Sequence, residues 1–303
     1  MKHIFSITAC HIVPAGLLLL VLFFAPAILC AQDEYNFDEL EDLEKKNFSF
    51  SGYTELKYEH LDINRNSLLY RIHFFQNERS SLDRFTGTLQ VGGSYSRSIF
   101  NFNWLLEASG GQDQMRWTDT ANIFEVYSSI RPFSGLTVEA GKKVLKWGKG
   151  YAWNPVGFIE RPKNPNDPNL AREGFIIAGM DYIKSFDGPL KTVAFTPVII
   201  PVYQDINEDF GAVGHFNIAA KLYLLYRDTD IDFMVFGGGS KSTRFGMDFS
   251  RNISSNFEIH GELAWFPGLK KQFVTPYGSK GVDEFDSLSA LLGIRYLTEN
   301  EIT

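Results

Sequence analysis

The sequence predicts an all-β protein, a transmembrane antiparallel up-and-down β-barrel. Side chains alternate apolar and polar along nearly the whole chain after residue 47. The alternating segments run to roughly nine to thirteen residues, the length a tilted membrane strand needs and longer than the strands of most soluble domains. No helical period of any length interrupts them. About thirteen segments are visible, so a barrel closing on an even strand number would have roughly 14–18 in the full protein.

Residues 1–31 read as an export signal. Lys2 and His3 begin it, Gly16 to Ala25 form an apolar core too short to span a bilayer, and Ala31 stands just before an acidic turn. Cleavage after Ala31 removes both cysteines, Cys10 and Cys30. Lipidation of Cys30 is the alternative, weakened by Leu29 where a small residue is wanted. The mature chain then has no disulfide framework. Loss of Lys2 leaves 28 basic side chains against 36 acidic ones, a net charge of −8. That balance argues against nucleic acid, or an anionic membrane surface, as partner.

Residues 32–47 are an acidic leader, expected in the periplasm. Phe37, Leu40 and Leu43 recur at three-residue spacing, so it reads either as a short amphipathic plug helix or as a disordered tail. The barrel occupies 48–303. In its first strand Phe48, Phe50, Leu56 and Tyr58 oppose Ser49, Ser51, Glu55 and Lys57. Phe85, Leu89 and Val91 then oppose Thr86, Thr88 and Gln90, and Phe102 and Trp104 oppose Asn101 and Asn103. Later, Ile231, Phe233 and Val235 stand against Asp230 and Asp232, and Phe245 and Met247 against Arg244 and Asp248. The clearest segment sets Phe257, Ile259, Leu263 and Trp265 against Glu258, His260 and Glu262.

A large soluble β-sandwich or solenoid would also alternate. Long uniform strands, the lack of cysteine, and aromatics near strand ends (Tyr58, Tyr95, Trp104, Trp265, Tyr296) favour the barrel. A closed barrel also satisfies every backbone group in lipid. Short turns at 131–135, 187–189, 227–230, 251–256 and 298–301 alternate with long links at 148–172, 203–212 and 267–285. By the usual arrangement the long links are extracellular. Counting back from 131–135 places the start of the first strand outside as well, which marks a miscounted strand within 48–120. The chain stops two residues past the turn at 298–301, as an incomplete barrel would.

The sequence carries no recognisable active site. The run "GKKVLKWGKGY" lacks the spacing of a phosphate loop, and no Gly-x-Ser-x-Gly elbow occurs. His60, His73, His215 and His260 lack metal-ligand spacing. Glu258 and Glu262 flank His260 on one strand face and could be drawn as acid and base, but alternate charges on a barrel wall read more simply as pore lining. No catalytic residue, metal or cofactor is expected, and the protein reads as a non-enzyme.

From 141 onward, "GKKVLKWGKGYAWNP" and "RPKNPNDPNLAREG" resemble a pattern in porin-like outer-membrane proteins of Gram-negative bacteria, including those grouped with alginate export. The matching positions are Gly141, Lys142, Trp147, Gly148, Gly150, Asn154, Pro155, Arg172, Glu173 and Gly174. The resemblance implies an outer-membrane barrel and a channel, without naming a substrate.

Read physically, the link 148–172 is too long for a turn. Prolines 155, 162, 165 and 168 stiffen it, and Trp147, Tyr151, Trp153, Phe158 and Ile159 call for burial. Folded into the barrel mouth, Trp147, Lys149, Tyr151, Trp153, Arg161, Lys163, Asp167, Arg172 and Glu173 would form a constriction; laid over the mouth, they would form a cap. Lumen candidates are Glu55, Lys57, Arg71, Glu107, Glu125, Arg131, Glu139, Lys143, Arg244, Asp248, Glu258, Glu262 and Arg295. The expected function is a passive or semi-selective channel for small hydrophilic solutes, the alternative a non-conducting barrel serving as scaffold, adhesin or export component. Outer-membrane lipid and the barrel-assembly machinery are the expected partners.

Overall fold

A computed structural model describes residues 47–74, 78–113, 116–163, 172–275 and 277–298. The signal, residues 32–46 of the leader and Asp167 lie outside them. The described residues form one antiparallel sheet of twelve strands in which each strand pairs with its neighbours in sequence. The strands are β1 (Phe48–Asp62), β2 (Ser81–Arg97), β3 (Phe100–Asp113), β4 (Trp117–Phe133), β5 (Leu136–Lys143) and β6 (Phe175–Ser185). They continue as β7 (Leu190–Val202), β8 (His215–Tyr226), β9 (Thr229–Gly237), β10 (Arg244–Ser254), β11 (Phe257–Val274) and β12 (Lys280–Tyr296). Strands β1 and β12 are the edges, and the sheet is not closed.

The meander has two unlike ends. Tight turns join β2 to β3, β4 to β5, β6 to β7, β8 to β9 and β10 to β11 at one end; at the other lie the long links from β1 to β2, β5 to β6 and β7 to β8, with shorter connections from β3 to β4, β9 to β10 and β11 to β12. Residues 63–80 are one such link, with a six-residue helix α1 (Leu68–His73). Three strands therefore precede β4, and β1 starts at the short-turn end. This locates the miscounted strand within 48–120: residues 67–74 are apolar enough to count as one, but they fold as part of a connection.

Register fixes the two faces. On β8, Phe216 and Ile218 are 63% and 61% exposed, whereas Asn217 and Ala219, which alternate with them, are fully buried. Paired residues of neighbouring strands share a face, so the exposed set extends through Ile199 on β7, Phe233 and Val235 on β9, Met247 and Phe245 on β10, and Leu263 and Trp265 on β11. This face is apolar and uncovered. The opposite face holds the acidic members of each alternation and, from β6 to β9, a second apolar set: Ile177, Val198, Ile200, Met234 and Phe236. Strands β6 and β7 are therefore apolar on both sides, because the link from β5 to β6 covers their second face.

Two asparagines pin the long links. Asn207, in the β7–β8 link, donates to Ile176 O and Pro201 O and accepts from Ile176 N, each at 2.8 Å, standing in for a missing ladder partner. Asn217 is fully buried; it donates to Ser240 Oγ at 2.9 Å and accepts from Ser240 N at 3.1 Å, while Ser240 Oγ donates to Ala212 O at 2.7 Å. Replacing Asn217 by Leu strands these buried groups, so urea-induced unfolding should show a loss of about 1–3 kcal/mol. An unchanged midpoint would count against a structural role for this network.

Candidate functional site

The link between β5 and β6 folds back on the acidic face of the sheet. Its seat is set by register: Asp232, Asp248 and Glu262 stand opposite one another on β9, β10 and β11, at one level. All three are buried, at 2%, 1% and 4% exposure. Buried carboxylates are tolerated only with donors or counter-charges at hand, and the link supplies both.

Glu262 Oε1 accepts from the backbone N–H groups of Lys149 and Gly150, each at 2.5 Å, and Oε2 from Val156 N at 3.3 Å. Gly148 makes this nest possible. Its φ of +87° turns the chain, and a Cβ there would lie 2.9 Å from Glu262 Oε1. The Lys149 side chain continues along the row, its Nζ 3.2 Å from Asp232 Oδ2 and 3.8 Å from Asp248 Oδ1. Burial alone would pull this ammonium down, but Asp232 and Asp248 outweigh it and hold it above the usual lysine range. Lys221 on β8 reaches Asp232 from the other side at 4.0 Å.

An apolar clamp lies beside this polar one. Trp147, Val156, Phe158 and Ile159 are buried against the second apolar set of β6 to β9 and Ala264 of β11. Phe158 and Val156 fit because residue 246 is glycine: a Cβ there would lie 2.8 Å from Phe158 Cζ and 2.9 Å from Val156 Cγ1. The link also braces itself. Glu160 accepts from Trp147 N and from Arg172 Nη1, and burial pushes its carboxyl up despite these donors. Lys163 Nζ donates to Gly150 O at 2.6 Å and Tyr151 O at 2.7 Å, and burial pulls its ammonium down. Arg161 pairs with Asp209 and Glu173, and Glu173 also pairs with Lys142.

Of the loop candidates, the structure brings Trp147, Lys149, Arg161, Lys163, Arg172 and Glu173 into this framework. Tyr151 and Trp153, for which burial was expected, are 62% and 55% exposed.

Of the lumen candidates, Asp248 and Glu262 form the seat, and Arg244 starts β10 on the same face. Glu125 accepts from Val144 N at 2.8 Å, holding the start of the link. Glu139 and Lys143 pair with each other on β5. Glu107 accepts from Gln90 at 3.0 Å, Glu258 lies 3.3 Å from His260, and Arg295 stands opposite Glu258 in register. Glu55 and Lys57 lie on β1 opposite Thr88 and Thr86. Arg131 lies near the short-turn end of β4 and is exposed. Arg71 is on α1 rather than on a strand wall, because its segment is part of a connection. Sequence reasoning left Asp232, Glu160 and Lys221 out of the site. Asp232 was visible in the alternation of β9, but only pairing across strands shows that it stands beside Asp248.

No family model and no curated protein matches the chain. Among solved structures it is similar to the FrpB iron transporter from Neisseria meningitidis (F5-1 variant, apoprotein form), at 9% identity and TM-score 0.38, over 81% of this chain and 46% of that one. It is similar to a triple mutant of Rhodopseudomonas blastica porin at 10% identity and TM-score 0.41, over 82% and 89%. A Pseudomonas aeruginosa FadL homologue matches at 9% and 0.34, over 82% and 74%. These are outer-membrane β-barrel proteins. The chain spans less than half the length of the iron transporter, and at these scores the likeness carries no argument about function.

Glu262→Gln should loosen the link by removing the charge that holds its N–H groups. Trypsin cleavage at Lys149 or Lys163 of the folded protein should rise about ten- to a hundredfold, the equivalent of a lost charge-assisted hydrogen bond. Gly246→Val, which expels Phe158, should act in the same direction. Unchanged cleavage in both variants would show that neither clamp holds the link.

Proposed function

We propose that this protein is an outer-membrane porin-like channel for small hydrophilic solutes, passive or semi-selective, whose link 148–172 narrows the passage. The observation that carries the reading is the contrast between the faces of one sheet. Soluble proteins rarely leave a continuous apolar face uncovered, and lipid against that face would cover it as in membrane barrels. The other face bears Asp232, Asp248, Glu262, Lys149 and Lys221, with a tethered segment lying on them. Such a segment would set the width and charge of a pore, as constrictions do.

One observation favours the second reading, a non-conducting barrel serving as scaffold, adhesin or export component. The link buries four apolar side chains on the sheet, with no more than 3% exposure at any of them, and so fills part of that face.

Conductance across planar bilayers separates the two. The channel reading predicts single-channel steps, and a folded, heat-modifiable barrel with no conductance above background would sink it. Deleting 157–170 should raise the step size if the link constricts and leave it unchanged if it caps. The lipid assignment has its own check. Phe233→Arg, at the middle of the uncovered face of β9, should destabilise folding into lipid vesicles by about 2–4 kcal/mol.

A further inference from the structure

A second charged cluster lies at the long-link end, away from the carboxylate row. Arg161 comes from the β5–β6 link, Lys241 from the link between β9 and β10, and Arg244 from the first position of β10. Each cation lies over a phenylalanine ring. The guanidinium carbon of Arg161 is 4.4 Å from the centre of Phe175, and Lys241 Nζ is 3.5 Å from that of Phe210. The guanidinium carbon of Arg244 is 5.7 Å from Phe236 and 5.4 Å from Phe266. The rings are themselves in contact, Phe210 lying 5.0 Å from Phe175 and 5.7 Å from Phe236. Three cations thus gather on one aromatic cluster.

Their counter-charges do not match them. Arg161 has Asp209 and Glu173, the latter shared with Lys142. Among the described residues no carboxylate pairs with Lys241 or Arg244, and Arg244 Nε is buried without an acceptor. Cation–π contact offsets only part of what a partly buried unpaired charge costs. Lys241 registers the imbalance. Burial, then the charges of Arg244 and Arg161, pull its ammonium down to about 7. Near neutral pH the cluster lacks a negative charge for Arg244, and a second whenever Lys241 is protonated.

We propose that Arg161, Lys241 and Arg244 form a binding site for one carboxylate group of a solute. A planar monoanion matches the fork of Arg244 and leaves Lys241 as the second donor. It loses less hydration on entering this partly apolar site than a dianion would. The phenylalanine rings favour a carboxylate carried on a short carbon skeleton. The site does not depend on whether the barrel conducts, because binding needs only the folded chain.

The test uses the full chain folded in detergent micelles and reductive methylation with formaldehyde, read residue by residue by peptide mass spectrometry. In chloride, methylation of Lys241 should rise through a midpoint near pH 7. At pH 7, sodium acetate at the same ionic strength should lower Lys241 labelling about fivefold, as follows when a bound anion raises a half-protonated amine by roughly one pH unit. Labelling of the exposed Lys191 and Lys280 should stay the same in both salts. Arg244→Gln should abolish the acetate effect. If that variant does not fold, the comparison of acetate with chloride on the unaltered chain still decides. Protection by acetate no greater than by chloride overturns the proposal, as does equal protection of Lys191 and Lys280. Protection by inorganic phosphate but not acetate overturns the carboxylate assignment, and acetate protection that survives in Arg244→Gln overturns the role of that residue.

Discussion

Three carboxylates side by side on a sheet repel one another, and no strand sequence can hold them buried unaided. Asp232, Asp248 and Glu262 are brought level by the register of β9, β10 and β11. Whatever covers them must bring N–H groups and positive charge. The link from β5 to β6 does so with two kinds of group at once, backbone amides on Glu262 and the Lys149 ammonium on the two aspartates. The rest of the site follows from satisfying that row. Gly148 is needed to turn the chain onto it, and Gly246 to let Phe158 pack one step along. The glycines and the lysine are parts of one solution to a desolvation problem.

The same register accounts for the division of faces. Side chains on a strand alternate strictly, so placing the carboxylates on the covered side commits Phe233, Met247 and Leu263 to the other. A one-residue slip would bury apolar groups against Lys149 and turn acids onto the uncovered face. The charged row and the apolar face are thus two readings of one pairing pattern.

Much of this was legible in the sequence because period-2 alternation is local. Asp248 and Glu262 could be assigned to one face, and Phe233, Phe245 and Trp265 to the other, from their own strands alone. The long link was recognisable from its length and prolines, and burial of Trp147, Phe158 and Ile159 from their size. Local reading failed where the answer lay between strands. Asp232 joins the site only through pairing with Asp248. Tyr151 and Trp153 look as buriable as Trp147, but the link's fold leaves them exposed. Residues 68–75 have strand-like composition, yet part of them becomes α1, because apolar periodicity in so short a run does not separate helix from strand. Glu160 gave no signal beyond being an acid beside Arg161, and its role depends on how the link folds back on itself.

One distance along the chain has a bearing on how the molecule assembles. Lys149 and Glu262 are separated by 113 positions, whereas every pairing in the sheet joins neighbours in sequence. The meander can grow by adding hairpins, each closing a short loop at modest entropic cost. The link cannot take its seat until β9, β10 and β11 are in place, although its residues precede them all. Until then Trp147, Val156 and Phe158 have only the part of their seat that β6 to β8 provide. Docking of the link is therefore a late event in folding, and it is the step that tells a correctly registered sheet from a slipped one, because only the correct register offers the carboxylate row on which the link can close.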